Sequence, residues 1–400
     1  MHPLALQPLL LLAALLTATC VALSAHAQQQ PAELEIRIGY IGWTPDPGPL
    51  MSNVIPEPED AGLQGATLAI VDNNSTGRFL KHRYVLSIAS EPDLDATLEA
   101  ARSMHAEGLR LFVTNLPASA VTQLAGEFGP DSLLFNAGAY DDELRSDACL
   151  PNVLHTLPNR GMLTDALAQF LSLRKQKRWF LITGPTPADQ AYAAALKRSA
   201  KRFGHSIVAE KQWTFDTDLR RAAQQEVPLF TQARDYDVVV VADERGDFGE
   251  YIPYNTWLPR PVAGTQGLTP VGWHKTVETY GAAQLQKRFE AQAGRWMNSL
   301  DFAAWIAVRS IGAAVTTLRS TEVAEIRALS LSDQLPLDGF KGRKLSYRTW
   351  DGQLRQTIPL VHPRALVSNS PQDGFLHPVT DLDTLGFDQP ESRCRLAGGA

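Results

Sequence analysis

The sequence predicts an α/β protein of two lobes, each built on a parallel sheet, and three observations carry that prediction. From residue 35 onward, apolar runs of strand length alternate with helical patterns, as in successive βαβ units. The alternation comes in two blocks, one running to Phe135 and a second starting at Leu163. Within the second block, Asp237 leads into Val238-Val239-Val240-Val241-Ala242, a run typical of a strand buried on both faces.

In the first block Ile36 to Gly42 (IRIGYIG) reads as a strand and Gly62 to Asn73 as a helix, stopped by Asn73-Asn74-Ser75-Thr76-Gly77. Tyr84 to Ala89 follows as a strand, Leu94 to Ala106 as a helix and Leu109 to Val113 as a strand. Ala118 to Phe128 is then helical and Ser132 to Phe135 extended. In the second block Leu163 to Arg174 is a helix, Trp179 to Ile182 a strand, Ala188 to Phe203 a helix and Ile207 to Lys211 a strand, before the valine run. Val262-Ala263-Gly264 and Val271-Gly272-Trp273 come next, then long helices at Gly281 to Gln292 and Leu300 to Leu318. The tail from Gln334 is punctuated by Pro and Gly, with short strands at Lys344 to Tyr347 and Gln356 to Val361. No internal repeat or low-complexity tract is visible.

Residues 4 to 23 form a long apolar segment that ends in Ser24-Ala25-His26-Ala27, an A-x-A cleavage pattern. Residues 1–27 therefore read as a secretory signal peptide, with a membrane anchor as the alternative. Thr17-Ala18-Thr19 is a poor match to the box that lipidation of Cys20 would need. Removal of the leader leaves Cys149 and Cys394. In an oxidising compartment a bridge between them is the expectation, two unrelated thiols the alternative. About 370 mature residues exceed what one core usually serves, which again gives two lobes. A net charge of −6 argues against a nucleic-acid partner.

Enzyme signatures are absent: there is no G-x-S-x-G, no phosphate-binding G-x-x-x-x-G-K-[ST], no H-E-x-x-H, no G-x-G-x-x-G and no C-x-x-C. Nine histidines are scattered without metal-ligand spacing. The informative places are the loops beyond the strands' carboxyl ends, where open parallel sheets bind ligands. After the first strand, Trp43 and Thr44 stand in Gly42-Trp43-Thr44-Pro45; Trp43 either stacks on a planar ligand or caps the lobe's core. After the third, Asn115, Ala118 and Ser119 sit at a helix start, as ligand donors or as a plain cap. After the fourth, Asn136-Ala137-Gly138-Ala139 exposes backbone and leads to Tyr140, Asp141, Asp142 and Glu143. The acids read as a metal site or, more blandly, as a solvated turn and the first turn of a helix; no metal or cofactor is expected. The second block supplies Asp189, Asp243 and Gln266 in corresponding loops. Arg245 can meet a ligand carboxylate or pair with Asp243 or Asp247.

The order of these pieces resembles the type I periplasmic substrate-binding proteins of ABC transporters, the branch that includes the leucine/isoleucine/valine-binding proteins. The likeness lies in the leader, "IRIGYIG", "GLQGATLAIVDNNSTG", "ATLEAARSMHAEGLRLFVTN" and "FNAGAYDDELR". More narrowly, "RWFLITGPTPADQAYAAALKRSAKRFG", "DVVVVADERGDFGEYIPYNTW" and "RPVAGTQGL" are similar to a subgroup associated with PQQ-dependent alcohol dehydrogenase systems. The resemblance implies two Rossmann-like lobes joined by a three-stranded hinge, residues 33–157 with 275–335 forming one and 158–274 with 336–400 the other. It implies a monomeric, non-enzymatic periplasmic protein that closes on a small molecule and presents it to an ABC permease.

Positions that hold an amino acid in that family match Ala118, Tyr140 and Gln266 here. An amide in place of a carboxylate leaves a buried ammonium unpaired, so a simple α-amino acid is a poor expectation. A flatter or larger ligand fits better, either PQQ or a metabolite of alcohol oxidation. The alternative functions are an accessory or chaperone of a periplasmic PQQ-dependent dehydrogenase, or a ligand sensor.

Overall fold

Two all-parallel sheets organise the computed structural model, which describes residues 33–46, 57–214 and 219–396. The expected leader and Cys20 lie outside the described residues. The first sheet comprises β1 (Leu34–Gly42), β2 (His82–Ala89), β3 (Leu111–Asn115), β4 (Leu133–Asn136) and β5 (Val153–His155), in the order β2-β1-β3-β4-β5. Its crossovers are α1 (Leu63–Leu80), α2 (Leu94–Ala106), α3 (Ala118–Phe128) and the short α4 (Glu143–Ser146). The second sheet, ordered β7-β6-β8-β9, contains β6 (Arg178–Thr183), β7 (Ser206–Gln212), β8 (Val238–Ala242) and β9 (Val262–Gly264). It carries α5 (Arg160–Leu173), α6 (Pro187–Arg202) and α7 (Leu219–Phe230).

Register decides which loops meet. Gly42 pairs with Asn115 and Thr114 with Asn136, so β1, β3 and β4 deliver their following loops to one edge of the first sheet. In the second sheet Thr183 pairs with Ala242 and Val241 with Gly264, which gathers the loops carrying Asp243 and Gln266, and the first turn of α6 with Asp189, in the same way.

Helices α8 (Ala282–Ala293), α9 (Ser299–Leu318) and α10 (Val323–Ser330) return to the first lobe. Thirteen of the twenty residues of α9 are buried, so it is a central helix rather than an amphipathic surface one. Each fully buried Phe, Ile or Val there contributes about 1.5–3 kcal/mol. Close approach to α1 depends on Gly65, where an added Cβ would stand 1.9 Å from the Asp301 carbonyl oxygen.

Up to Ile358 the described chain passes between the two apolar cores three times. Leu157 belongs to the first and Met162 to the second; Ala263 belongs to the second and Trp273 to the first; Leu354 belongs to the first and Ile358 to the second. The second and third passages meet in a small antiparallel sheet of β10 (Thr269–Pro270), β13 (Ile358–His362) and β14 (Ala365–Ser370). Beside it lies the pair β11 (Ser346–Tyr347) and β12 (Leu354–Arg355).

Two expectations are corrected. The change of lobe expected at 336 falls near 355, because Leu337, Leu345, Tyr347 and Leu354 fill the first core. The last residues also return there: Arg393 N–H donates to the Ser146 carbonyl at 2.8 Å, and Cys394 is bridged to Cys149 across a sequence separation of 245. Helix α1 runs through Asn73-Asn74-Ser75-Thr76-Gly77 to Leu80. Tertiary bonds override the weak local propensity there: Asn73 Nδ2 donates to the Val308 carbonyl at 3.0 Å, and Asn74 Nδ2 donates to that of Tyr84 at 2.9 Å. In addition, α7 occupies the stretch between Lys211 and Asp237 that the sequence reading leaves unassigned, its internal Pro228 being a sequence signal against a helix.

Candidate functional site

At the edge of the first sheet, Asn136 builds the loop beyond β4. Its Oδ1 accepts the N–H groups of Gly138 at 3.2 Å and Ala139 at 2.8 Å, and its Nδ2 donates to the Ala139 carbonyl at 3.1 Å. Gly138 is required by crowding, since a Cβ there would lie 2.5 Å from Asn115 Oδ1 and 2.7 Å from Asn115 Cα. The buried Arg145 locks the same loop from below. Its Nη1 donates to the carbonyls of Ala139 (2.9 Å) and Asp141 (3.0 Å), and its Nη2 to that of Leu157 (3.1 Å) at the first passage between lobes.

This scaffold projects Tyr140, which packs against the apolar cores of both lobes. Burial raises its phenol pKa, and the carboxylates of Glu57 and Glu244 raise it further. Next to it, Asp141 stands 3.3 Å from Arg160, the first residue of α5. Arg160 is gripped in turn by Glu244 of the β8 loop, Nε and Nη2 each donating to a different carboxylate oxygen at 2.8 Å. Burial opposes the Arg160 charge, yet Glu244 and Asp141 outweigh it and hold the guanidinium pKa above its ordinary value. Asp142 accepts from Asn159 Nδ2 (2.7 Å) and from Gly161 N–H (2.8 Å), so this acid serves the start of α5. No group of three or more potential metal ligands exists among the described residues.

The other sequence candidates have specific places. Trp43 packs on the cluster containing Ile41, Ala89 and Leu98, with Nε1 donating to the Pro92 carbonyl at 3.3 Å; these are the contacts of a core cap. Thr44 and Ser119 are exposed and Ala118 is half-buried at the start of α3, where Pro117 offers no side-chain cap. Asn115 is turned inward, donating to the Ala61 carbonyl at 3.0 Å. Asp189 closes a capping box with Thr186 and accepts Glu244 N–H at 2.7 Å, so it positions the partner of Arg160. Asp243 accepts the N–H groups of Asp247 (3.0 Å), Phe248 (2.9 Å) and Gly249 (2.6 Å), and Gln266 Nε2 donates to the Asp243 carbonyl at 3.0 Å. Arg245 lies 3.3 Å from Asp247. The structure thus joins Gly138 to Asn115 and Asp243 to Gln266, while only Tyr140 touches both cores.

Beside Tyr140 opens a cavity of about 340 Å³ lined by Glu57, Val271, His274, Lys275, Trp296 and Asn298 among others. Trp296 is 48% exposed, Lys275 Nζ lies 5.3 Å from its ring centroid, and Asn298 Nδ2 donates to the Glu57 carboxylate. Sequence reading missed Arg160 and these wall residues. One signal for Arg160 was present: a cation in the first turn of a helix opposes the helix dipole and calls for an anionic partner.

The sequence profile of one family, described as periplasmic binding protein, matches residues 36–248, more than half of the chain. No curated protein matches. Among solved structures, a periplasmic binding protein from Burkholderia mallei is 18% identical with a TM-score of 0.65, over 91% of this chain and 99% of that one. A branched-chain amino acid ABC transporter periplasmic ligand-binding protein from Burkholderia xenovorans LB400 is 17% identical with a TM-score of 0.70, over 91% of this chain and 100% of that one. The leucine-, isoleucine-, valine-, threonine- and alanine-binding protein of Brucella ovis, in a closed conformation, is 14% identical with a TM-score of 0.67, over 87% and 98%. At these identities the likeness is one of fold, the type I architecture of two α/β lobes.

Proposed function

Because this chain belongs to the periplasmic binding protein family, we propose that it is the solute-capturing component of an ABC-type uptake system, closing its two lobes on a small organic ligand. Tyr140 carries the reading: it follows β4 at the loop edge of the first sheet and packs against both apolar cores, so a ligand beside it would touch both lobes. The adjoining cavity of about 340 Å³, walled by residues of the first lobe and of the second passage, suits a small molecule, and the half-exposed Trp296 offers it a flat face. Ligand binding would shift an open–closed equilibrium about the three chain passages.

The reading includes export by the leader, residence in the periplasm as a monomer, delivery to an inner-membrane permease, and no catalysis of its own. Around Tyr140 the carboxylates of Glu57, Asp141 and Glu244 outnumber the cations of Arg160 and Lys275. A tricarboxylate such as PQQ would add to that surplus, so an uncharged or cationic product of alcohol oxidation is the better ligand. The second reading, an accessory of a PQQ-dependent dehydrogenase, draws on Tyr254 and Trp257, exposed at 92% and 56% in the loop after β8.

A thermal-shift screen of the mature protein against PQQ, short alcohols, their aldehydes and acids, and branched-chain amino acids tests it. A true ligand at a hundred times its Kd adds about 2.7 kcal/mol of stability, and Tyr140→Ala abolishes the shift. A flat response to every small molecule, together with capture of a periplasmic dehydrogenase, sinks the uptake reading in favour of the accessory one.

A further inference from the structure

Lys341 is buried at 3% exposure in the segment before β11, and its ammonium faces no carboxylate among its bonded partners. Nζ donates to the Gly272 carbonyl at 2.5 Å, to Gln356 Oε1 at 2.6 Å and to the Thr357 carbonyl at 3.1 Å. Gly272 lies on the second passage between lobes, and Gln356 and Thr357 on the third. Gln356 Nε2 then donates at 2.8 Å to the Thr156 carbonyl, immediately before the first passage begins at Leu157. One side chain therefore reaches two passages directly and, through a single amide, the residue that leads into the remaining one.

We propose that Lys341 is the pin of the hinge, binding the three passages into one bundle about which the lobes turn. Three N–H donors meet three oxygens, so the charged form satisfies every partner; the ammonium nitrogen also lies 4.7 Å from the Phe302 ring centroid, a favourable cation–π contact. The neutral amine has one donor fewer and turns a lone pair towards an oxygen. The charged neighbours are committed elsewhere. Arg343 pairs with Asp381, Lys344 donates to the Asp333 carbonyl at 2.6 Å, and the Asp338 carboxylate accepts Phe340 N–H at 3.1 Å. Beside Phe302, Asp301 is held by Arg295; on the second passage His274 Nδ1 meets Thr276 Oγ1; near the third, Arg355 binds Asp383. Burial alone pushes the Lys341 pKa down to about 7. The pin is then mostly charged well below that pH and progressively neutralised as the pH rises through it.

Hydrogen exchange of the full mature chain, read on peptides covering 153–160, 268–275 and 353–360, tests the pin. In Lys341→Met all three peptides should exchange at least tenfold faster together, with β1 and β8 unchanged. In the wild type, after correction for intrinsic rates, raising the pH from 6 to 8.5 should speed the same three peptides, and Lys341→Met should lose that pH response. Acceleration of one passage alone, no acceleration, or a pH response that survives in the variant overturns the proposal. Should the variant fail to fold, Gln356→Met, which cuts the link to Thr156, decides instead: faster exchange in 153–160 is expected, and no change there overturns the proposal. The pin rests on the hinge reading, yet its readout is separate. Ligand-driven closure is measured by small-angle scattering, so a protein whose passages respond together but whose scattering never changes would retain the pin and lose the uptake function.

Discussion

Arg160 and Glu244 form a two-pronged ion pair with both contacts at 2.8 Å, and the same guanidinium reaches across to Asp141 on the other lobe at 3.3 Å. The Arg160 side chain is only 9% exposed, so the pair is held largely out of water. Removing one member leaves the other without its counter-charge. Arg160→Met should therefore cost about 2–4 kcal/mol, and Arg160→Met with Glu244→Leu clearly less than the single change. Urea midpoints of the two variants decide this; equal losses would mean the pair acts only through packing.

The bridge between Cys149 and Cys394 closes a loop of 245 residues. A constraint on so long a segment is worth about 2–5 kcal/mol to the folded state. Cys149→Ser, Cys394→Ser and the double variant should lose the same amount, since either change removes the whole bridge. Thermal melts with and without reductant report it, and a reduced wild type should melt with the double variant.

Gly138→Ala places a methyl group 2.5 Å from Asn115 Oδ1. Neither backbone can yield without disturbing the Asn136-built loop, so a loss of about 1–3 kcal/mol is expected. Ligand affinity should fall as well, because the loop carries Tyr140. Retained stability with retained affinity would show that the loop adapts freely.

Asp351 is fully buried, with Oδ1 accepting Gln353 N–H at 2.9 Å and Oδ2 3.7 Å from Arg348. Burial pushes its carboxyl pKa up to about 6, despite Arg348 pulling the other way. An acid whose folded pKa exceeds its unfolded value binds more protons when folded. Its charge therefore costs stability above pH 6, and the cost is relieved as the pH falls from about 6 towards 4. The relief amounts to about 2–3 kcal/mol. Asp351→Asn should remove this component from the wild-type stability profile between pH 4 and 7, measured by denaturant titration; an identical profile in the variant would assign the pH dependence to other groups.

Most of the sheet framework was legible because its signal is periodic: the valine run 238–242 and the helices 94–106 and 118–128 stand where alternation places them. Failures cluster where partners are distant in sequence. Asn73 to Gly77 looked like a stop, and only α9 and β2 make the stretch helical. In the site, Tyr140 was legible as the residue beyond a small-residue loop. Asp243 and Gln266 sit in the expected loops and Asp189 in the first turn of α6, but their polar groups cap helices and turns, a choice of direction that composition does not encode. Arg160 needs both Asp141 and Glu244 to make sense, and no local motif joins those three.

The interleaving of the chain bears on how such a molecule comes into being. The first core is closed by Leu345, Tyr347 and Leu354, and the second by Ile358, Leu360 and Leu385. A growing polypeptide therefore cannot complete either half until almost its whole length has been made, so lobe-by-lobe folding during synthesis is closed to it. Apolar strands such as Val238–Ala242 must wait uncovered meanwhile. That delay makes the nascent form a natural client of holding chaperones.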